Sequence, residues 1–221
     1  MDLRWIVTDR LADMDVMQMA HDERAELADL LDSLADDQWN AASLCDRWRV
    51  RDVVAHVISY DDLTVTGLVR TLARARLRLS GINAVGVSDA ASLTTDQLRS
   101  RFRAHLTPAG LTRAFNGGIG LVDGLIHHQD IRRPLNLPRT IPPDRLRFVL
   151  DFAVRSPALP ARRLTRGLRL VATDLDWSTG RGPEVHGPAE SLLMAISGRR
   201  GVSEELSGDG QQKLRARSPL L

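Results

Sequence analysis

The chain has 221 residues, of which 43% are hydrophobic and 26% charged, and its formal net charge is only +2. That is enough apolar material for a buried core in one domain or two small ones, and too little excess charge for a nucleic-acid-binding face, even with a sequence pI near 9.3. Cys45 is the sole cysteine, which excludes an intrachain disulfide and a multi-cysteine zinc site.

Lys213 is the only lysine among 30 basic residues, so the basicity is an arginine bias and not a phosphate-binding cluster. The opening MDLRWIVTDRLADMD lacks the basic and apolar pattern of a leader, and no stretch approaches the ~20 apolar residues of a membrane span. A soluble, cytoplasmic protein is expected, with neither membrane nor nucleic acid as partner. Aromatic residues make up only 4% of the chain, so Leu, Val, Ala and Ile must fill most of the core.

From about Met14 to Leu34, Met17, Ala20, Leu27, Leu30, Leu31 and Leu34 recur at three- and four-residue steps, which predicts an amphipathic helix. The segment DDQWNAASLCDRW interrupts the pattern, and a new helix starts near Val50, where Val53, Val54, Val57 and Ile58 follow helical spacing. A further helix is expected over residues 64–79, with Arg70, Arg74 and Arg78 on one solvated face. SGINAVGVSDAAS reads as a flexible connection. Thr94 or Thr95 then caps a helix running to about Leu106.

The stretch from Ile119 to Arg132 carries Val122, Leu125, Ile126 and Gln129 on one stripe, and Pro134 ends it. These segments predict a four-helix bundle over residues 1–138. After the Pro-containing segment NLPRTIPPD the pattern changes. GLRLVATDLDW suggests a strand, residues 180–183 supply turn chemistry, Glu184 to His186 a second short strand, and Pro188 opens a helix that Gly198 stops. The expected fold class is mostly α, with a small α+β domain over residues 139–221.

Three side chains stand out. His56 lies on the helix from Val50, and Asp123 and His127 lie four residues apart on the helix that ends at Arg132. Asp123, His127 and Asp130 share one narrow helical sector, while His128 points elsewhere. Two neutral imidazoles and a carboxylate are good ligands for zinc and other divalent metals, and three protein ligands leave a coordination position for water or substrate. The same residue types at this spacing also occur as hydrogen-bonded helix residues.

The segment SLCDRWRVRDVVAHV resembles the signature of the DinB-like, mycothiol-dependent maleylpyruvate isomerase family, in which a tryptophan precedes a helix bearing a metal histidine. VDGLIHHQDIRRPLNLP is similar to that family's carboxylate-x-x-x-His motif. LRLVATDLDWSTGRGPEVHGPAESLLMAISGRR is similar to its sterol-carrier-like C-terminal domain. The resemblance implies a DinB-like bundle in which His56, Asp123 and His127 hold a divalent metal, zinc first, with mycothiol as thiol co-substrate. It departs at Asp123, where members commonly carry Glu. Asp is one methylene shorter, so direct reach, reach only through water and loss of the ligand role all stay open, and Asp130 is a candidate to hold His127 in place or to replace Asp123 as ligand.

The implied activity is metal-dependent activation of a thiol for S-transfer or cis-trans isomerisation of a small electrophile, with Arg199 as a candidate catalytic residue binding a substrate carboxylate. The alternative is a non-catalytic metal- or small-ligand-binding protein of the same fold. Cys45 with a nearby histidine as base is a further candidate nucleophile. Trp48 and Trp177 are expected to anchor packing, with lining of a pocket as the alternative for either, and His21, His105 and His186 to be structural or exposed.

Overall fold

Asp15 opens the first helix, its side chain accepting from the backbone N–H of Gln18 at 3.0 Å. In this computed structural model, which describes residues 15–61 and 85–218, helix α1 spans Val16–Ser33 and buries Val16, Ala20, Leu27, Leu30 and Leu31. The interruption foreseen after α1 contains a short helix, α2 (Asp36–Asn40), which carries Trp39 into the core. Helix α3 spans Val50–Ser59.

Residues 85–89 are helical, where a flexible connection was expected. The Ala90 N–H bonds the Gly86 carbonyl at 3.3 Å, and the partly buried Ala90 and Leu93 pack on the hydrophobic core. Tertiary docking has here overridden a weak local preference. The expected helix over 64–79, with Arg70, Arg74 and Arg78, lies outside the described residues.

Helix α4 (Thr95–Ala104) begins with the reciprocal capping of Thr94 and Gln97. A 3-10 turn at Gly110–Arg113 leads to α5, Gly118–Arg132. Gly117, at φ 86°, makes the left-handed turn into α5, where a Cβ would press on Met17. α5 packs on α1 and α3, and α4 packs on the same two helices, so the four close a ring. Expected to bury one stripe, α5 instead buries residues on every side, from Gly118 to Ile131. It is the central helix of its unit.

The chain divides into two compact units, Met1–Leu137 and Pro138–Leu221. The second contains α6 (Pro143–Ala153), α7 (Ala161–Thr165), α8 (Ala189–Ile196) and α9 (Gln211–Arg217) with a three-stranded sheet. Extended structure in the expected long strand is limited to β1, Arg169–Ala172. β2 (Ser178–Gly180) pairs antiparallel with β1, and β3 (Glu184–Gly187) pairs parallel on its other edge, giving the order β2-β1-β3. Gly180, at φ 84°, permits this crossing, since a Cβ there would run into the Leu168 carbonyl. Trp177, 6% exposed, anchors α6 by donating from Nε1 to Asp151 at 3.0 Å. The structure is therefore mostly helical, with a small three-stranded sheet. No described helix is long and apolar enough to cross a membrane.

One buried ion pair ties the first unit together. Arg24 of α1 donates from Nη1 to Asp61 at 2.9 Å and to the His105 carbonyl at 2.7 Å, and both side chains of the pair are 1% exposed. The other Asp61 oxygen accepts from the Ala109 N–H at 3.2 Å and from the Thr112 hydroxyl. Helix α1, the ends of α3 and α4 and the turn before α5 are thus joined through one ion pair. Removing one partner of such a pair leaves a buried charge uncompensated, so Asp61→Ala is expected to destabilise the protein by ~3–5 kcal/mol. Urea unfolding checks this through a lowered midpoint at unchanged slope.

Candidate metal centre

Four-residue spacing on α5 stacks Asp123 and His127 on one helix face, and α3 brings His56 against them. Nε2 of His56 lies 3.6 Å from Asp123 Oδ1, and Nε2 of His127 lies 3.5 Å from the same oxygen. The two imidazoles meet edge to face, centroids 4.7 Å apart at 81°. One donor atom from each residue falls within 4.8 Å of the other two. The three side chains that the sequence singled out for a metal are therefore brought together.

These separations are at the long, weak end of N–H···O bonding. They match instead the ~3.3 Å edge between donors around a tetrahedral zinc with 2.0–2.1 Å bonds. Asp123 Oδ2 is buried with no hydrogen-bond partner among the described residues, the kind of exception that calls for an explanation such as a bound ion. The shorter acid places one oxygen at nearly equal distance from both histidines. The set is not sealed, since the Asp123 side chain keeps 21% exposure against 4% for His56 and 9% for His127. Donor chemistry, spacing and an open side all fit a divalent cation.

The electrostatics agree. Burial opposes ionisation of Asp123, but the charge and hydrogen bonding of His127 and His56 outweigh it and hold the carboxyl far below its usual range. Burial likewise opposes charge on His127, which Asp123, then Cys45, and hydrogen bonds to Asp123 and Asp130 overcome, lifting it well above the ordinary histidine value. In the metal-free protein a proton thus stands where the field favours positive charge.

Around this set stands a second layer. Asp130, fully buried, accepts from Nδ1 of His127 at 2.9 Å, leaving Nε2 facing the centre. Asp130 is thus His127's neighbour on the side away from His56. Trp48 and Tyr60 flank the His56 ring at centroid distances of 5.0 and 5.2 Å. Trp48 is a wall of the centre as well as a packing residue.

His128 does point away from the centre. Arg132 Nε donates to its Nε2 at 2.8 Å, so Nδ1 carries the proton and donates to Glu23 at 2.7 Å, with both of those side chains fully buried. Of the remaining histidines, His21 lies beside Asp22, His105 against the Arg101 carbonyl, and His186 beside Glu184. Arg199 follows α8 in the second unit, where Nη1 donates to the Ser197 carbonyl at 3.0 Å.

Sequence reasoning missed the roles of Tyr60 and Glu23. Tyr60 sits four residues after His56, a helical step that would have placed it on the same face. Glu23 lies on α1 with no local sign that it would meet α5. Cys45, weighed as a nucleophile, has its Sγ 3.6 Å from Nδ1 of His127, but its thiol donates to Asp130 at 3.0 Å.

Residues 20–120 match the family model described as the mycothiol maleylpyruvate isomerase N-terminal domain. Two crystal structures share the fold, one of a mycothiol-dependent maleylpyruvate isomerase and one of a histidine-to-alanine mutant of such an enzyme. The mutant aligns with TM-score 0.56 at 14% identity and the other with 0.54 at 12%, each over 91% of this chain and 95% of theirs. No curated protein matches by sequence.

Tyr60 is the only tyrosine, so a phenolate absorbance titration reports it alone. Burial, and secondly the Asp123 charge, push its hydroxyl up to about 12. The metal-free protein is expected to titrate near that value, and Asp123→Asn at a lower pH, the sign following from removal of a negative neighbour.

Proposed function

We propose, for a chain whose residues 20–120 match the family model of the mycothiol maleylpyruvate isomerase N-terminal domain, that the protein is a metal-dependent enzyme. Its reaction is activation of a low-molecular-weight thiol, mycothiol, for S-transfer to a small electrophile or for cis-trans isomerisation of one. The observation that carries this reading is the triangle of His56, Asp123 and His127, with donor atoms within 4.8 Å of one another. These residues would hold a divalent ion, zinc being the first choice for two imidazoles and a carboxylate. A bound ion there supplies Lewis acidity that favours the thiolate of an incoming thiol at neutral pH.

The chain's own residues do the rest. Asp130 holds the Nδ1 proton of His127 and so fixes which nitrogen faces the centre. Trp48 and Tyr60 shield the His56 ring from water. Tyr60 stays protonated far above neutrality and keeps a hydroxyl able to donate. Addition of the thiolate to an activated double bond leaves a single bond about which the product rotates. Elimination then regenerates the thiol, whereas S-transfer stops at the conjugate. Arg199 is assigned the recognition of a substrate carboxylate, for which a planar guanidinium is suited.

Elemental analysis of untagged protein is expected to find near-stoichiometric metal, lost in His56→Ala and in His127→Ala along with thiol consumption against a panel of electrophiles. Activity that survives chelation removes the proposal. Asp130→Asn is expected to weaken metal affinity ~10–100-fold while leaving the fold intact. Loss of a charge-assisted hydrogen bond in Arg199→Ala should raise KM for carboxylate-bearing electrophiles by roughly 10-fold or more, at unchanged metal content. Equal effects on carboxylate and neutral substrates would remove that role.

A further inference from the structure

The His127 ring has two poles, and only Nε2 belongs to the centre described above. Its Nδ1 faces Asp130 Oδ2 at 2.9 Å and Cys45 Sγ at 3.6 Å, and that thiol lies 3.0 Å from the same carboxylate oxygen. A thiol, an imidazole and a carboxylate are thereby gathered with donor atoms within 4.8 Å of one another. We propose that Cys45, Asp130 and the Nδ1 pole of His127 form a second cation site, back to back with the first, that takes a thiophilic divalent ion such as Zn2+ or Cd2+.

The triangle is built and not incidental. The loop bearing Cys45 is closed by the Ala42–Arg49 bridge, and Ser43 Oγ donates to the Trp48 carbonyl at 2.9 Å while accepting from the Cys45 N–H at 3.1 Å. The Leu44 N–H clamps the loop to the Asp130 carbonyl at 3.0 Å. Asp130 is fully buried, whereas Cys45 keeps partial exposure and so gives an ion its entry.

The 3.6 Å between Sγ and Nδ1 matches the ~3.5 Å edge expected for sulfur and nitrogen at 2.3 and 2.0–2.1 Å around tetrahedral zinc. The two edges to Asp130 are shorter because protons, not a cation, now join those atoms. Capture of the ion would replace them: the S–H and Nδ1–H protons leave to solvent, thiolate and imidazole nitrogen bind, and the carboxylate recedes by about half an ångström. His127 then carries its proton on Nε2, facing Asp123. The two sites therefore compete for one ring through its tautomer. Thiolate donors bias the second site towards softer ions than the first.

Metal-stripped full-length protein titrated with Cd2+ tests the proposal through the ultraviolet thiolate-to-cadmium charge-transfer band. Wild type, His56→Ala and Asp123→Asn are expected to develop the band to one thiolate per chain. Cys45→Ser should lose it, and Asp130→Asn should need at least ten times more Cd2+, with circular dichroism confirming that both variants remain folded. No band in wild type, or a band equally strong in Asp130→Asn, overturns the proposal, the second result meaning that Cys45 acts as an isolated thiol. Failure of the first centre has a different signature: with the second site removed by Cys45→Ser, zinc content stays unchanged when His56→Ala is added, whatever the cadmium band does.

Discussion

The structure of the first unit depends on keeping a polar run inside its central helix. α5 is buried on all sides, yet it carries His127, His128, Gln129 and Asp130 in succession, each less than a tenth exposed. Successive residues on a helix point about 100° apart, so these side chains address different neighbours, and each must find a partner or bear its desolvation cost. His128 turns to Glu23 of α1, His127 to Asp123 and Asp130, and the Asp130 carboxylate to the Cys45 loop. Polar satisfaction, more than hydrophobic stripe matching, sets the rotation of α5 against its neighbours.

From that rotation the candidate metal centre follows. Once Glu23 and Asp130 hold opposite sides of α5, Asp123 and the Nε2 pole of His127 have one direction left, towards His56. The orphaned Asp123 oxygen and the depressed carboxyl are the cost of that convergence in the metal-free protein. Such unbalanced charge recurs at functional sites more often than in purely structural cores.

What was legible in the sequence was local and periodic. Helical spacing located α1, α3 and α5, the Thr94 and Pro188 starts marked two further helices, and the i,i+4 pair with His56 marked the centre. Non-local or short-range features were not legible. α2 is a five-residue helix shaped by the burial of Trp39, and residues 85–89 are helical because the turn docks. β3 runs parallel to β1 although only a short turn separates β2 from it, and hydropathy cannot distinguish that from a hairpin. The partnership of Cys45 with Asp130 spans 85 positions and has no periodic signature. The stripe foreseen on α5 is buried, but burial continues round the helix, where a Cβ at Gly120 would meet Pro108 and one at Gly124 would touch Glu23.

Aspartate at position 123 shortens the arm that must reach between α5 and α3. A longer acid would absorb variation in helix separation through its own rotamers; this one passes that variation straight to the donor triangle. The geometry of that triangle is thereby coupled mechanically to the buried cluster that Val53 and Val57 of α3 share with Ile131 of α5. Repacking of that apolar cluster, away from the donor atoms themselves, becomes a dial on how closely they converge.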